Sequence, residues 1–512
     1  MYTRRAFLRG AAAVGCAMAL PPLPRLGRAA GYPTAVTHGQ RLERYPEPRY
    51  PDLRPIQSVD ELVTRIVYLF QQEPFLDPRE GANMNPRYRV PPGSAVLVEL
   101  DESHHPWLGE AFERAGREVG VRVDVYRRGA SPTARRDLAP EAIYRRADEA
   151  ARVVRAPEPT PNPVVAAAVA GRYSLLIAGS GGPIRDDPQG RYRNEHLQWF
   201  TLENWASNEM LFPPDLQDLI DEIVFNQIRQ CVRVRVTDPE GTDFTFTNYD
   251  DGRWNYPSHQ WGVPVYIGRQ GPNSAEPVNV PDIRGVVAGT TNHLGTFPLI
   301  KAYIEGSRVV EVEGDGVYAE SWRAKLEETR NEVWPAYKDR FGNDAPGTAA
   351  WGPGYFWFWE CAIGTHVMCY RPKEDSYVYG GPLNNTYERR RAGTIHCGFG
   401  LSNDLQPQVP PGSYINHVHI HLNFPTYVGW DAQGREIVVI DKGHLTALDD
   451  PAVRALAAKY GDPDIVLAER YFQGLPGVNL PGDLYQDYGR DPLSFIRREL
   501  DELPYRRVPV EF

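Results

Sequence analysis

Cysteine is scarce in this chain: five occur in 512 residues. Cys16 falls in an apolar stretch near the start, and Cys231, Cys361, Cys369 and Cys397 match no CxxC zinc or redox spacing. In an oxidising compartment that leaves room for at most one disulfide. Excess positive charge is missing as well. Against 66 acidic residues stand 56 Lys and Arg, a formal charge of −10. With no basic stripe to neutralise phosphates, a nucleic-acid partner is not expected. The apolar run near the start, "AAAVGCAMAL", is about ten residues, short of the ~20 that span a bilayer. No internal repeat appears at a period of ~20–50 residues. "GSGGPIRDD" (179–187) follows a strand pattern, but it lacks dinucleotide-loop or P-loop spacing and reads as a structural turn.

What is present begins with an address. Arg4 and Arg5 precede Phe7 and Leu8, then the apolar run, then Pro21 and Pro22. This is a twin-arginine export pattern. Residues 1–30 are read as that leader, handled by the twin-arginine translocase, with a periplasmic or extracellular destination. The leader holds five Arg and no acid, so a chain without it would sit near −15. That route carries folded proteins, and loading a metal before export is a common reason to fold first. Residues 31–58, rich in Pro, Tyr and Arg without periodicity, read as an extended arm.

Residues 59–205 read as an α/β domain with a parallel sheet. "SVDELVTRIVYLFQQ" has helical apolar spacing, with Ser58 or Asp60 as cap. Strand "SAVLVELD", helix "WLGEAFERAGREVG" and strand "VRVDVYRR" form a βαβ unit within about 35 residues. "SLLIAGSGG" adds a further strand, and "APEPTPNP" interrupts the domain as a loop. Residues 206–512 read as an α+β, largely antiparallel, metal-binding domain. Its signals are the helix "DLQDLIDEIVFNQIRQ", a hairpin turning at Asp238-Pro239-Glu240-Gly241, and a second turning at Glu305-Gly306-Ser307. Strands "GTIHCGFG", "HVHIHLNF" and "GREIVVID" follow.

The last of these domains holds the chemistry. In "INHVHIHLNF" the residues His417, His419 and His421 alternate with Val418, Ile420 and Leu422, so a strand presents three imidazoles on one face. Same-face neighbours lie roughly 6.5–7 Å apart along a strand, a spacing at which two imidazoles can converge on one ion. A further ligand is needed, commonly a carboxylate. Glu360, in the aromatic run "FWFWECAIGTH", would be costly there unless paired or metal-bound. His396 lies between glycines in "GTIHCGFG", where backbone can approach a site closely. His104 and His105 follow "AVLVELD" at the carboxyl end of a parallel strand, where α/β sheets place ligands. His105 is expected as general base, and His104, His366 and Asn423 as substrate contacts. The run "WGPGYFWFW" (351–359) reads mainly as core. Arg389, Arg390 and Arg391 read as a solvated edge with one pairing to Glu388, or as partners for a substrate carboxylate.

Five segments occur in a telling order: "VRVTDPEGTDFTF", "EGSRVVEVEG", "WECAIGTH", "GTIHCGFG" and "HLNF". Together, over roughly residues 210–445, they resemble the superfamily of the thermophilic metallo-aminopeptidases (aminopeptidase T type) and 2,5-dihydroxypyridine 5,6-dioxygenase. The resemblance implies a site of Glu360, His396 and the first histidine of a His-x-acid pair. In one register that histidine is His421 with Asn423 in the acidic position. In the other it is His419 with His421 there. The peptidases' Tyr, seven residues past the histidine matched by His396, is Asn403 here, which weighs against a dinuclear peptidase site. The resemblance thus implies a mononuclear non-haem iron dioxygenase acting on a hydroxylated aromatic or N-heteroaromatic ring, with Fe(II) as metal and Zn or Co as alternatives. Its partners would be that substrate, dioxygen and a second copy in a homodimer. A metallo-aminopeptidase-type hydrolase and a non-catalytic binding protein on the same scaffold are the alternatives.

Overall fold

The computed structural model describes residues 56–71, 90–101, 104–128, 154–155, 162–178, 189–196, 202, 205, 212–247, 266–269, 283–292, 295–306, 308–329, 337–338, 344–345, 358–367, 391–400, 414–415, 417–469, 475–478 and 480–495. Outside them lie the expected leader (1–30), the arm (31–58) up to residue 55, the 179–187 turn and positions 351–357 of the aromatic run. Cys369, Glu388, Arg389, Arg390 and Asn403 lie outside them too.

Helix α1 (Val59–Gln71) starts where Ser58 Oγ accepts the Glu61 N–H at 3.2 Å, while Glu61 reaches back to the Gln57 N–H at 3.1 Å. A Ser-x-x-Glu spacing favours such reciprocal capping. Strand β1 (Ala95–Leu100), helix α2 (Trp107–Glu118) and strand β2 (Arg122–Arg127) form the expected βαβ unit, with β1 and β2 parallel. A short strand β3 (Val154–Arg155), helix α3 (Pro163–Ala170) and strands β4 (Leu175–Ala178) and β5 (Arg193–His196) follow. The parallel sheet has the order β2-β1-β4-β5. Strand β1 is apolar on both faces but for Glu99, which is ion-paired with Arg128 at 3.5 Å, because both faces are covered. Val96, Val98 and Leu100 pack with α1 and α2, and Leu97 packs with Val164 and Ala168 of α3.

The larger region opens with α4 (Pro214–Gln230), whose Leu216, Ile220, Val224 and Ile228 recur at helical spacing and enter the main core. Strands β6 (Arg233–Thr237) and β7 (Asp243–Thr247) make the first expected hairpin, with Gly241 at φ +110° in its turn. After β8 (Tyr266–Arg269) and β9 (Arg284–Asn292), strands β10 (Gly295–Glu305) and β11 (Arg308–Gly314) make the second. Helix α5 (Gly316–Thr329) and the small ladder of β12 (Tyr337–Lys338) and β13 (Asp344–Ala345) precede β14 (Phe358–Gly364). Then come β15 (Ile395–Gly400), β16 (Tyr414–Ile415), β17 (His417–Leu422), β18 (Thr426–Trp430), β19 (Glu436–Asp441), β20 (His444–Leu445) and α6 (Pro451–Ala457).

Two antiparallel sheets result: an eight-stranded one, β11-β10-β9-β7-β6-β18-β19-β20, and a four-stranded one, β17-β15-β14-β8. They meet where Gly289 of β9 has no side chain, since a Cβ there would strike Ile420 Cγ2 of β17. Strands β16 and β3 pair antiparallel, joining a segment just before β17 to the first 155 residues. The observed order, a parallel α/β region followed by a larger antiparallel α+β region, is the expected fold class. At the edge of the large sheet His444 is buried between two carboxylates. Its Nδ1 lies 2.7 Å from Glu469 Oε2 and its Nε2 2.9 Å from Asp449 Oδ2, while Glu469 Oε1 accepts the Leu445 N–H.

Candidate metal centre

The register of β14 against β15 is set at one end by a bulge. Gly364 N–H donates to Thr394 O at 2.8 Å, and Gly393 N–H donates to Gly364 O at 3.0 Å, so two residues oppose one. Gly393 sits at φ +77° with the Gly443 backbone against it. Only glycine fits such a bulge comfortably. From there the strands run in step: Ala362 opposes His396, which opposes His421, and Glu360 opposes Gly398, which opposes His419. Residues directly opposite in a sheet share a face. The three sequence segments around 360, 396 and 420 therefore meet in one sheet, in two adjacent rows of one face. Cys361, Cys397 and Ile420 take the alternate row and enter the main core.

The imidazoles are well inside the protein: His396 is 1% exposed, His419 9% and His421 0%. His396 Nδ1 lies 2.9 Å from His421 Nε2, so one nitrogen donates and the other accepts. The His396 ring also lies against His419, with centroids 4.4 Å apart and planes at 33°. Two donors bound at right angles to one ion at ~2.1 Å stand about 3.0 Å apart. The His396–His421 separation therefore suits two adjacent ligand positions as well as a hydrogen bond. Among the described residues no group of three or more His, Cys, Asp or Glu is placed to hold a metal ion. The Glu360 and His417 side chains lie outside the described residues, although both backbones belong to the sheet.

Backbone contacts fix the histidine strand. Tyr318 donates its hydroxyl hydrogen to His419 O at 2.9 Å, and Arg391 Nη2 donates to Asn423 O at 2.7 Å while its guanidinium lies over Phe424. Arg391 is buried, so it is no part of a solvated edge, the main expectation for that triplet. Asn423, two residues past His421, is buried and donates from Nδ2 to Thr291 Oγ1 at 3.4 Å; its Oδ1 is buried with no hydrogen-bond partner among the described residues.

Behind Asn423 lies a buried polar network that sequence reasoning missed. Tyr488 donates to Glu240 Oε1 at 2.6 Å and also meets the Asn423 side chain, and Thr290 donates to Glu240 Oε2 at 2.9 Å. Burial, then the Glu240 charge, pushes the Tyr488 hydroxyl well above its usual range. Asp238 Oδ1 accepts the N–H groups of Glu240 and Thr242, at 3.0 and 2.9 Å, yet burial raises its carboxyl to about 7. The Asp-Pro-Glu-Gly motif was legible as a turn. That its acids face inward was not, because Tyr488 lies 248 residues from Glu240.

The remaining expected residues are placed elsewhere. His366 lies just past the end of β14, with its ring 5.0 Å from Phe212, and its backbone bridges to Arg391. His104 and His105 are both buried just after β1. His104 Nδ1 faces Asp101 Oδ1 at 2.9 Å and the Asp101 N–H at 3.1 Å. The shorter contact, to a charged acceptor, favours a proton on Nδ1, which leaves Nε2 as acceptor. His105 is the reverse case. Its Nδ1 accepts the Trp107 N–H at 3.2 Å, so the neutral ring carries its proton on Nε2, and burial lowers its pKa below 6.5.

No family model matches the chain, and no curated protein does. Among solved structures it is similar to the 2,5-dihydroxypyridine dioxygenase from Pseudomonas putida KT2440, at 12% identity and a TM-score of 0.46, covering 76% of this chain and 98% of that one. It is also similar to wild-type AmpT from Thermus thermophilus, at 13% identity and a TM-score of 0.39, covering 75% of this chain and 99% of that one. Both likenesses are distant, at 12% and 13% identity.

Proposed function

We propose that this chain is a metal-dependent enzyme that opens or oxidises a hydroxylated aromatic or N-heteroaromatic ring with dioxygen, using one Fe(II). The observation that carries the reading is the pair of buried imidazoles, His396 and His421, at ligand spacing with His419 against them. Their third partner is Glu360, which shares a register row with Gly398 and His419. Two histidines and one carboxylate leave neighbouring positions of an iron open for a substrate and dioxygen. Bound iron would supply the coordination of the ring oxygen and the redox chemistry. The chain's own groups hold and move protons. The general base expected at His105 is reassigned to its neighbour: His104, oriented by Asp101, accepts a substrate proton at Nε2, while His105, whose Nδ1 already accepts the Trp107 N–H, donates a hydrogen bond from Nε2. Residues 1–30 direct the folded, loaded protein through the twin-arginine route.

Asn423 supports a second reading. It contributes no negative charge where the resemblance puts an acid, which suits a binding protein without turnover. Metal analysis of protein folded in vivo separates the two. About one iron per chain, lost in His396→Ala and His421→Ala, with oxygen uptake on dihydroxylated aromatics, supports the oxygenase. Zinc, cobalt or two metals with release of amino acids from short peptides would replace it with a hydrolase. Absence of metal in wild type would leave the binding protein.

A further inference from the structure

Cys361 and Cys397 face each other directly across β14 and β15. The kind of pairing between them follows from the bulge. Gly364 donates to Thr394 in the same register, which makes that pair a hydrogen-bonded one. Pairs alternate along an antiparallel ladder. Ile363 with Ile395 is then non-hydrogen-bonded, Ala362 with His396 hydrogen-bonded, and Cys361 with Cys397 non-hydrogen-bonded. In that class the Cα atoms approach to about 4.5 Å and the side chains are closest. A disulfide needs Cα atoms ~4.4–6.8 Å apart. Both side chains occupy the core face, with Cys361 7% exposed and Cys397 0%. The sequence spacing, with 35 residues between them, hides this juxtaposition.

We infer that Cys361 and Cys397 form a cross-strand redox pair that closes to a disulfide when a disulfide-type oxidant such as oxidised glutathione reaches it. The Cys361 thiolate, the more accessible, attacks a sulfur of the oxidant and releases one glutathione thiol. The Cys397 thiolate then attacks the Cys361 sulfur of the mixed disulfide and expels the second. Two protons and two electrons leave the protein, and one S–S bond joins β14 to β15. The link ties the neighbours of Glu360 and His396 together and shortens the loop available to the unfolded chain, so it raises the unfolding midpoint. The inference is independent of the metal.

The test uses the full chain, both native and refolded, in a series of oxidised-to-reduced glutathione ratios, followed by alkylation, intact mass and a non-reducing tryptic map. Cleavage after Lys373 separates the two cysteines, Arg371 being protected by Pro372; Cys369 shares a fragment with Cys361, so Cys369→Ser is mapped in parallel. The expected result is loss of two hydrogens, a linked Cys361–Cys397 peptide in both chains, a higher unfolding midpoint, and none of these in Cys361→Ser or Cys397→Ser. The inference is overturned if both cysteines remain alkylatable after native and refolding incubations, if only a glutathione adduct forms, or if the link goes to Cys231 or Cys369.

Discussion

His444 and His396 are both buried in the antiparallel region, and their surroundings are opposite. His444 meets a carboxylate at each ring nitrogen, so both nitrogens donate only when the ring carries both protons. His396 meets another imidazole at 2.9 Å, and that contact holds a single shared proton. The first arrangement is closed: each ring nitrogen has its own carboxylate oxygen as acceptor. The second pairs two groups of the same kind, at a separation that suits a hydrogen bond and equally two neighbouring ligand positions. A buried histidine is therefore read from its partners, not from its burial.

The strongest test of that contrast removes each ring in turn. His444→Ala strands Glu469, whose side chain is 1% exposed, and should cost about 3–5 kcal/mol in chemical denaturation, the usual price of breaking a buried ion pair. His396→Ala should cost the metal-free protein clearly less while lowering its metal content; equal losses from the two variants would erase the distinction. Gly289→Val comes next. It forces a side chain onto Ile420 and the His421 carbonyl and should destabilise by about 1–3 kcal/mol, the usual range for overpacking. The same urea curves check it, and metal affinity should fall with the displaced strand.

A third test concerns the acid network behind Asn423. Asp238 is raised from 3.8 to about 7 by burial, so the native state holds a proton that the unfolded chain has released. Stability is fully present below 3.8 and falls as pH rises from there through about 7, by up to about 1.4 kcal/mol per pH unit. Asp238→Asn keeps the oxygen that accepts the Glu240 and Thr242 N–H groups and should flatten that slope in denaturation curves taken from pH 4 to 8. An unchanged slope would mean that Asp238 is ionised throughout. The smallest effect is expected from Asp449→Asn: its side chain is 43% exposed, and the change should cost under about 1 kcal/mol. A larger loss would show that the clamp on His444 depends on both carboxylates equally.

Local signals were legible where one stretch of chain carried its own instruction. Ser58 and Glu61 cap α1 as their spacing suggests, and the βαβ unit followed from apolar runs around an amphipathic helix. Gly241 and Gly306 turn the two hairpins. Strand β9 gave no such sign, because "RGVVAGTTN" becomes buried on both faces along its second half and so loses the alternation that marks a strand. Of the site, the histidine alternation on β17 was visible, as was the glycine setting of His396. Their contact was not, since it depends on the pairing of β15 with β17, which brings together residues 25 positions apart. Glu240, Tyr488 and the His444 clamp stayed hidden for the same reason. Tyr488 lies 248 residues from Glu240 and Glu469 25 residues from His444, and no local pattern names them.

The short ladder between β3 and β16 has a mechanical result. Only Asn416 separates Ile415, hydrogen-bonded to residues near 154, from His417 at the head of the imidazole row. The chain therefore works as a drawbar: a pull on residues 154–155 would be delivered to the histidine strand with one residue of slack.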